Sequence, residues 1–392
     1  MKRIAILFEG SLTDRKGLVN AVLYRAKYLK SISQDFEIDV YNFQGAENIL
    51  VRTLRHTLEQ KRYSSLSIEG FNVKVFWYDS TLLDYLLSVK LKKRPIISRM
   101  AYLSKVVVFK DYDLISAHST NCGLLACAIN EKYGIPYYAT WHGSDIHSLP
   151  FSRKYVLKDT ISILNKASCN FFVSQALCDT ADKLSTKIKK MVLYNGVGPS
   201  FMRYTDDKRE QLRKQFMVTG KKVVCFAGNV IDIKNPLVLP PIFEKVQNGY
   251  EGDVVFWILG DGKLRPIIEK EFSRMGLDSK CWGNISADKM VDYLNCVDVL
   301  VLPSKNEGLP LITLEAIKCG AHVVGSDVGG ISEAIGVDNV FELDGSFVEK
   351  ISQRIVSILS SSVQQSLKSI FSWEYTAQRE HDIYMNNLRK NK

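Results

Sequence analysis

The sequence predicts an α/β protein built from two doubly wound domains. Short apolar runs of strand length alternate with segments of helical periodicity, and the alternation starts again after a glycine-rich turn near the middle of the chain. A length of 392 residues suits two domains of ordinary size. The composition, 46% apolar and 24% charged, is that of a globular chain and excludes a disordered one.

The first domain is predicted to cover residues 1–196. Its first strand is Lys2–Phe8, and a helix with apolar positions at helical spacing begins at Gly17. The basic and then apolar start is like a signal peptide, but its apolar part is too short and it lacks a small-residue cleavage site, so we interpret it as a strand. Further strands are predicted at 36–41, 72–77, 113–118, 136–141, 170–174 and 191–194.

A hinge is predicted at Asn195-Gly196-Val197-Gly198-Pro199, a run of turn residues. The second domain, residues 197–370, repeats the alternation, and residues 371–392 are predicted to form a last helix that begins at Phe371. The second set of strands is predicted at 223–227, 254–259, 282–285, 299–303 and 322–325.

The positive charge is confined to the first half of the chain. Up to Gly196 there are 28 Lys and Arg against 17 Asp and Glu, a net charge of +11, whereas the remainder has 24 against 25, a net charge of −1. Residues 82–108 mix apolar residues with six basic ones, which favours contact with an anionic membrane surface. A solvated helix face is the alternative. The basic residues are not interleaved with aromatic ones, which disfavours nucleic acid as a partner.

No metal site, disulfide or membrane span is predicted. The eight cysteines form no CxxC pair and have no His/Cys ligand spacing, which is typical of reduced thiols in a cytosolic protein. Asp111-Tyr112-Asp113 has the spacing of a metal-binding DxD motif, but an Asp-rich turn before a strand is ordinary. No run approaches the ~18 apolar residues of a membrane span.

The most informative stretch is 297–335. An apolar strand is followed by a polar turn, a helix that starts after Pro310 and a stop at Gly320. Glu307 lies in the turn, and Glu315 lies inside the helix on the side that leans back toward its start. A helix start binds phosphate, and carboxylates bind hydroxyls, so the pattern describes a site for a nucleotide sugar. Two solvated glutamates are the alternative.

Other loops after predicted strands carry further candidates. His142 follows a strand in Thr140–Asp145 and could bind a sugar hydroxyl, although a structural histidine is equally consistent with the sequence. Lys234 could neutralise a diphosphate, although most loop lysines are merely solvated. Gly262 belongs to the tight turn Gly260-Asp261-Gly262.

The spacing Glu307-x7-Glu315 within EGLPLITLEA resembles the signature of family 4 retaining glycosyltransferases. The resemblance extends over nearly all of the chain, because further motifs stand in the expected order. They are Gly17, the strand that ends in His118, Thr140–Asp145 with Trp141 ahead of the histidine, Asn195-Gly196-Val197, Lys234-Asn235-Pro236, Gly260-Asp261-Gly262, Gly329-Gly330 and Phe371-Ser372-Trp373.

The resemblance implies a GT-B fold, in which two Rossmann-like domains face each other across a cleft and the last helix crosses back to the first domain. The first domain would bind the acceptor and the second the nucleotide sugar. It implies His142 and Glu307 as catalytic residues and no metal, with retention by a front-face route. The donor-binding residues implied are Lys16, Gly17, Asn229, Lys234, Gly262, Glu307, Gly308, Leu309, Leu311, Ile312 and Glu315.

The chain departs from the family pattern at two positions. Asn229 stands where the family usually has an arginine beside the glycine at 228, so one charged contact to the diphosphate would be lost. Lys16-Gly17 stands where two glycines are common, and Lys16, Lys263 or Arg265 could replace the missing charge.

The function implied is transfer of a hexosyl-type sugar from a nucleotide diphosphate sugar to a growing glycan, with an acceptor carried on a polyprenyl lipid, in cell-surface polysaccharide biosynthesis. No cofactor is implied beyond the nucleotide sugar. The expected location is the cytoplasm, at the inner face of the cell membrane. The alternatives are a degenerate, non-catalytic GT-B partner in a glycan assembly complex, a nucleotide-sugar epimerase or a sugar phosphorylase. The sequence leaves open the donor sugar and its base, the acceptor, the linkage and the oligomeric state.

Overall fold

The structure is a computed structural model that describes residues 1–13, 17–55, 59–361 and 364–390. It divides into two compact units. Unit 1 consists of Met1–Asn195 together with Ser372–Lys392, and unit 2 is Gly196–Phe371. The predicted boundary after Gly196 therefore lies next to the division, and the end of the chain belongs to unit 1.

Unit 1 is built on one sheet with the strand order β3-β4-β2-β1-β5-β6-β7-β8. All neighbouring pairs are parallel except β3 and β4, which are antiparallel. The strands are β1 Lys2–Glu9, β2 Phe36–Glu47, β3 Ser65–Ile68, β4 Phe71–Ser80, β5 Leu114–His118, β6 Tyr137–Trp141, β7 Cys169–Phe172 and β8 Lys190–Val192.

The strand order of unit 1 reverses between β1 and β5. From β1 the chain continues to its neighbour β2, toward one edge of the sheet. From β5 it continues through β6 and β7 toward the opposite edge. In open α/β sheets, ligands bind outside the carboxyl ends of the strands at such a switch point. Here Glu9 ends β1 and His118 ends β5.

Helices cover the sheet of unit 1. The C-terminal helix Trp373–Lys390 packs against the first helix of the unit, and its Ala377 and Tyr384 are part of the buried core. Its Thr376 hydroxyl donates to the carbonyl of Tyr194. The other helices are α1 Gly17–Ile32, α2 Ile49–Arg55, α3 Leu82–Tyr85, α4 Ile97–Leu103, α5 Thr120–Tyr133, α6 Ser144–His147, α7 Leu149–Ser152, α8 Lys154–Lys166 and α9 Gln175–Asp182.

Unit 2 contains a fully parallel sheet with the order β11-β10-β9-β12-β13-β14. Its strands β10 and β12 are buried at every position, as expected of strands covered on both faces. The strands are β9 Lys222–Ala227, β10 Val254–Leu259, β11 Ser279–Gly283, β12 Val299–Leu302, β13 His322–Ser326 and β14 Val340–Phe341. The helices are α10 Asp206–Gln215, α11 Leu239–Gly249, α12 Arg265–Arg274, α13 Ala287–Leu294, α14 Leu311–Lys318, α15 Ile331–Ile335 and α16 Phe347–Leu359.

The switch point of unit 2 lies between β9 and β12. The chain continues from β9 to β10 and β11 on one side and from β12 to β13 and β14 on the other. The loop after β9 begins at Gly228, and the loop after β12 contains Glu307, so the predicted donor-binding loops emerge at the edge where this fold binds ligands.

The predicted fold class is confirmed, with differences in detail. The basic segment 82–108 does not form one amphipathic helix: α3, a π-helical turn Leu86–Lys90, α4 and a 3-10 turn Val106–Phe109 follow one another. Strand β3 was missed because its pairing with β4 depends on the turn between them. The eight cysteines are free thiols, and none of the described helices is long and apolar enough to cross a membrane.

Candidate active site

Two loops of unit 2 meet backbone to backbone at the end of β9 and β10. The amide of Val230 donates to the carbonyl of Asp261 over 2.9 Å. A Cβ atom at Gly260 would lie 2.0 Å from the carbonyl oxygen of Gly228, and one at Gly262 would lie 2.4 Å from that of Val230. The glycines at 260 and 262 are therefore required by loop packing, which is sufficient reason for their presence without any ligand contact.

Lys234 and Glu307 lie side by side at this edge of the sheet. The ammonium of Lys234 is 2.5 Å from Oε1 of Glu307, and the hydroxyl of Ser304 donates to the same oxygen over 2.7 Å. The side chain of Glu307 is only 10% exposed, which excludes the alternative of a solvated glutamate. Lys234 is the last residue of a 3-10 turn, Asp232–Lys234. The backbone amide of Lys305 donates to the carbonyl of Ile233, and this hydrogen bond joins the loop of Lys234 to the loop of Glu307.

The loop that carries Glu307 is held by the glycine pair at 329–330. A Cβ atom at Gly329 would lie 1.9 Å from the carbonyl oxygen of Glu307, and the φ angle of +55° at Gly329 is one that L residues rarely adopt. The amide of Gly330 donates to the carbonyl of Gly308 over 2.8 Å. This close approach fixes the backbone on which Glu307 stands.

Helix α14 begins at Leu311, directly after Pro310, and ends before Gly320, whose φ is +94°, as predicted. The hydroxyl of Thr313 donates to the carbonyl of Pro310. The N-cap residue Pro310 makes no side-chain hydrogen bond to the start of the helix. The first amides of any helix lack an intrahelical acceptor, and those of Leu311 and Ile312 are in this position. The side chain of Leu309 is buried.

Glu315 lies one turn into α14. Its carboxyl is partly buried, and burial raises its pKa to about 7. Within the described part of the chain it makes no hydrogen bond to Lys234, Ser304 or Glu307, which form the neighbouring cluster. A carboxyl group without a protein partner is suited to accept hydrogen bonds from ligand hydroxyls.

The remaining candidate residues for the donor site differ in their surroundings. Asn229 is exposed in the loop after β9. Lys263 is exposed as well, whereas Arg265 is bound to Asp261, Glu269 and the carbonyl of Cys281. Arg265 is thus committed to holding its own loop. Lys16 lies outside the described residues, and a Cβ atom at Gly17 would meet nothing within 4 Å.

In unit 1, Gly17 was singled out from the sequence, whereas packing and backbone conformation both restrict Gly10. Its φ is +130°, and a Cβ atom there would lie 2.8 Å from Cγ2 of Val19. Gly10 borders a cavity of about 580 Å³ in unit 1 whose lining includes Glu9, Thr120 and Asn121. Glu9 accepts hydrogen bonds from Tyr102 and Asn121, so the cavity is polar at this end.

His142 follows β6, in a loop that Asp145 organises. The carboxylate of Asp145 accepts hydrogen bonds from the backbone amides of His142 and Gly143, the latter over 2.8 Å. The imidazole Nε2 of His142 lies 3.0 Å from Nδ1 of His118, the residue that ends β5. Burial and the positive charge of Arg25 lower the pKa of His142 to about 3, so this side chain is neutral near pH 7.

Sequence reasoning missed the contact between the two histidines. His118 was recognised only as the end of a strand, although it ends β5 and His142 directly follows the neighbouring parallel strand β6. The residue after it, Ser119, has a φ of +114°, a strained backbone for a residue with a side chain. Such strain at the end of a central strand is typical of functional sites.

The two aspartates of the DxD motif have separate surroundings. Asp113 accepts hydrogen bonds from the ammonium of Lys2 and the amide of Arg3 and thereby joins β1 to β5. Asp111 is exposed in the turn before β5. Among the described residues, no cluster of His, Cys, Asp and Glu side chains has the arrangement of a metal site.

Two family profiles match parts of the chain. The "Glycosyltransferase Family 4" profile matches residues 81–201, which lie in unit 1 except for the last six. The "Glycosyl transferases group 1" profile matches residues 221–361, which lie in unit 2. The chain thus resembles the family 4 glycosyltransferases in both units. Both matched segments contain residues predicted for the site, His142 in the first and Glu307 in the second.

Individual glycosyltransferases are similar to the chain as well. TuaC of Bacillus subtilis, named as a glycosyltransferase of teichuronic acid biosynthesis, is 29% identical over 57% of this chain and 55% of its own length. The UDP-Gal:alpha-D-GlcNAc-diphosphoundecaprenol alpha-1,3-galactosyltransferase of Escherichia coli is 23% identical over 72% of this chain and 78% of its own. The matched region thus spans little more than half of TuaC.

Solved structures show the same fold. The crystal structure of Anabaena HepE in complex with UDP and glucose aligns with 99% of this chain and 98% of its own, with a TM-score of 0.67 and 18% identity. At this identity the likeness establishes the fold alone. Together with the largely parallel sheet of unit 1 and the parallel sheet of unit 2, it confirms the predicted GT-B architecture of two Rossmann-like domains.

Proposed function

We propose that this glycosyltransferase moves a hexosyl-type sugar, with retention of configuration, from a nucleotide diphosphate sugar to a hydroxyl of a growing lipid-linked glycan. The observation that carries the proposal is the cluster of Lys234, Ser304 and Glu307 beside the start of α14. It places a cation, a carboxylate and unpaired helix amides at one switch point of unit 2.

The diphosphate would lie against the amides of Leu311 and Ile312 and the ammonium of Lys234. Helix amides and a lysine stabilise the negative charge that develops as the diphosphate leaves. We therefore propose that the reaction needs no metal ion. Glu307 would accept a hydrogen bond from a hydroxyl of the transferred sugar, and Glu315, with its partly protonated carboxyl, would bind the ribose hydroxyls.

In the proposed reaction the bond between the anomeric carbon and the diphosphate oxygen breaks, and a bond from that carbon to the acceptor oxygen forms on the same face. The acceptor proton passes to the departing diphosphate oxygen. No enzyme carboxylate then acts as the nucleophile. Because His142 is neutral near pH 7, we propose that it binds the transferred sugar as a neutral hydrogen-bonding group and does not act as a general acid.

The relatives support a uridine nucleotide and a lipid-linked acceptor. The E. coli relative is named for UDP-Gal and a diphosphoundecaprenol-linked acceptor, and the Anabaena structure contains UDP. We propose a UDP-sugar as the donor of this chain. The polar cavity beside Glu9 and Asn121 in unit 1 would receive the glycan end of the acceptor.

We further propose that residues 82–108 bind an anionic membrane surface from the cytoplasmic side. Asp84 is buried and accepts hydrogen bonds from the amides of Ile96, Ile97 and Ser98. These hydrogen bonds fix the backbone conformation of the segment. This conformation exposes a patch of apolar side chains: Leu83, Leu86, Val89, Leu91, Ile96, Ile97, Met100, Val107 and Val108. Lys90, Lys92 and Lys93 are exposed beside them. Apolar side chains with neighbouring lysines are typical of a peripheral membrane contact.

The donor proposal is tested by a thermal-shift panel of nucleotide sugars, first with chelator and then with Mg²⁺ or Mn²⁺, followed by transfer assays with the ligand that binds. A ligand at ~100 times its Kd adds about 2.7 kcal/mol of stability. A shift with a UDP-sugar in chelator, followed by transfer to a polyprenyl-linked glycan, supports the proposal. A shift that requires metal contradicts the metal-free part of it.

The same panel separates the alternatives. Conversion of the nucleotide sugar without an acceptor would identify an epimerase, and phosphate-dependent cleavage of a glycan would identify a phosphorylase. Failure to bind any nucleotide sugar would favour a non-catalytic partner in a glycan assembly complex.

The membrane proposal is tested by pelleting with vesicles of neutral or anionic lipid. Replacing Lys90, Lys92 and Lys93 with Gln should weaken binding to anionic vesicles on the order of a hundredfold, because each lysine contributes about 1 kcal/mol near such a surface. The matched control replaces Lys183, Lys187 and Lys189, which are exposed elsewhere in unit 1. Equal binding to neutral and anionic vesicles would overturn the proposal.

A further inference from the structure

A chain of hydrogen-bonded side chains joins His142 to the C-terminal helix inside unit 1. Nε2 of His142 lies 3.0 Å from Nδ1 of His118, and Nε2 of His118 lies 3.3 Å from the hydroxyl of Ser116. That hydroxyl is 3.1 Å from the hydroxyl of Tyr384, which contacts Oε1 of Glu380. The other oxygen of Glu380 pairs with Nε of Arg25.

This chain is shielded from water over most of its length. The relative exposure of its inner members does not exceed 2%. These members are Arg25, Ser116, His118, Glu380 and Tyr384. Buried polar groups in such a network are constrained to one pattern of donors and acceptors, because an unmatched pair would cost ~1–3 kcal/mol.

The direction of every hydrogen bond follows from the end at Glu380. A carboxylate paired with arginine can only accept, so the single hydroxyl proton of Tyr384 is donated to Glu380. Ser116 must then supply the proton between the two hydroxyls. Since Ser116 has no second proton, it accepts from Nε2–H of His118.

The same argument assigns the donor and the acceptor between His118 and His142. A neutral imidazole carries one N–H, so Nδ1 of His118 is an acceptor, and Nε2–H of His142 donates to it. Both histidines are neutral near pH 7, because burial lowers their pKa values. Nδ1 of His142 therefore carries a lone pair and no proton, and none of the described residues donates a hydrogen bond to it.

We propose that Glu380 fixes the tautomer of His142 through Tyr384, Ser116 and His118, so that Nδ1 of His142 is an obligate acceptor for a ligand hydroxyl. Glu380 and Tyr384 are thus positioning residues supplied by the C-terminal helix. The identity of that hydroxyl as one of the transferred sugar rests on the proposed function, whereas the tautomer itself does not.

The substitution Glu380→Gln should reverse the whole chain without changing its shape. Arg25 only donates, so it would hold the amide oxygen of the new side chain, and the NH₂ group would face Tyr384. Tyr384 would then donate to Ser116, Ser116 to Nε2 of His118, and Nδ1–H of His118 to Nε2 of His142. His142 would change to the Nδ1–H tautomer and would present a donor in place of an acceptor.

The test is the ¹⁵N spectrum of the histidine rings in the full chain, which distinguishes a protonated from an unprotonated ring nitrogen at each site. The chain has six histidines, so single His→Gln variants assign the signals. We expect His118 and His142 to be Nε2–H tautomers in the wild type and His142 to become Nδ1–H in Glu380→Gln. Glu374→Gln, the same change at an exposed position of the same helix, should leave both unchanged.

Glu380→Gln leaves the buried Arg25 without a carboxylate and can therefore prevent folding. A second variant tests the proposal without breaking this ion pair. Tyr384→Phe keeps that ion pair and removes the acceptor of Ser116, which is then expected to donate to His118 and to switch His142 to Nδ1–H. A wild-type His142 protonated at Nδ1, or variants in which its tautomer does not change, would overturn the proposal. Absence of sugar transfer would overturn the proposed function alone.

Discussion

In unit 2 the ammonium of Lys234 lies 2.5 Å from a carboxylate oxygen of Glu307, although the two residues are 73 positions apart in the chain. Ser304 donates to the same oxygen, so Glu307 would keep one protein partner if Lys234 turned toward a diphosphate. Under the proposed function, Lys234 and Glu307 neutralise each other when no donor is bound. The ion pair and the hydrogen bond from Ser304 satisfy a carboxylate that is only 10% exposed.

Replacing Lys234 with Met should weaken donor binding. The variant keeps the apolar stem and loses the charge, and a hydrogen bond to a charged group contributes ~1.5–3 kcal/mol, so we expect a Kd for the donor about 10- to 100-fold higher. Calorimetric titration with the UDP-sugar measures this. Lys245→Met, which removes a lysine from an exposed Lys–Glu pair of the same unit, should have no effect. Equal affinities of the two variants would exclude Lys234 from the diphosphate site.

Glu315 should release protons when the donor binds. With a pKa raised to about 7, its carboxyl is partly protonated at neutral pH, and hydroxyl groups that donate to it favour the charged form and lower the pKa. Binding near pH 7 should therefore release about half a proton, and affinity should rise with pH and level off above pH 8. Titrations in buffers of different ionisation enthalpy measure the release. It should vanish in Glu315→Gln, and an unchanged release in that variant would contradict the assignment.

Much of the fold was predictable because the strands of unit 2 are read directly from buried apolar runs. Strand β10 was predicted with its observed bounds, and α14 was predicted from Pro310 and Gly320. The antiparallel strand β3 was not predicted, because its half-exposed residues Ser65–Ile68 carry no continuous apolar signal.

The residues of the candidate site were predicted from the sequence, whereas the contacts between them were not. Lys234 and Glu307 were each recognised by their place after a strand, yet their ion pair depends on the order of strands in the sheet. Glu380 carried no signal at all. A charged residue at one position of a polar helix is normally solvated, and only the arrangement of α1 against the C-terminal helix shows that it is buried against Arg25.

An arginine at position 229 should strengthen donor binding. Asn229 is exposed in the loop after β9, where the family usually has an arginine on the diphosphate. A new charge-assisted hydrogen bond of ~1.5–3 kcal/mol would lower the Kd for the UDP-sugar about tenfold or more. Asn248→Arg adds the same charge at an exposed position of α11 and serves as the control. If both variants gain equally, the gain is a general effect of charge, and position 229 has no specific part in it.

Gly329 should tolerate no side chain. A Cβ atom there would lie 1.9 Å from the carbonyl oxygen of Glu307. The oxygen is a backbone atom and Cβ has a fixed position relative to the backbone, so Gly329→Ala must displace the loop that carries Glu307. We expect loss of donor binding together with a fall in the melting temperature of unit 2, measured by calorimetry with and without the UDP-sugar. Gly345→Ala adds the same methyl group where nothing lies within 4 Å and should behave like the wild type. Normal donor binding by Gly329→Ala would mean that the position of Glu307 is not critical, because the displaced loop would still serve the ligand.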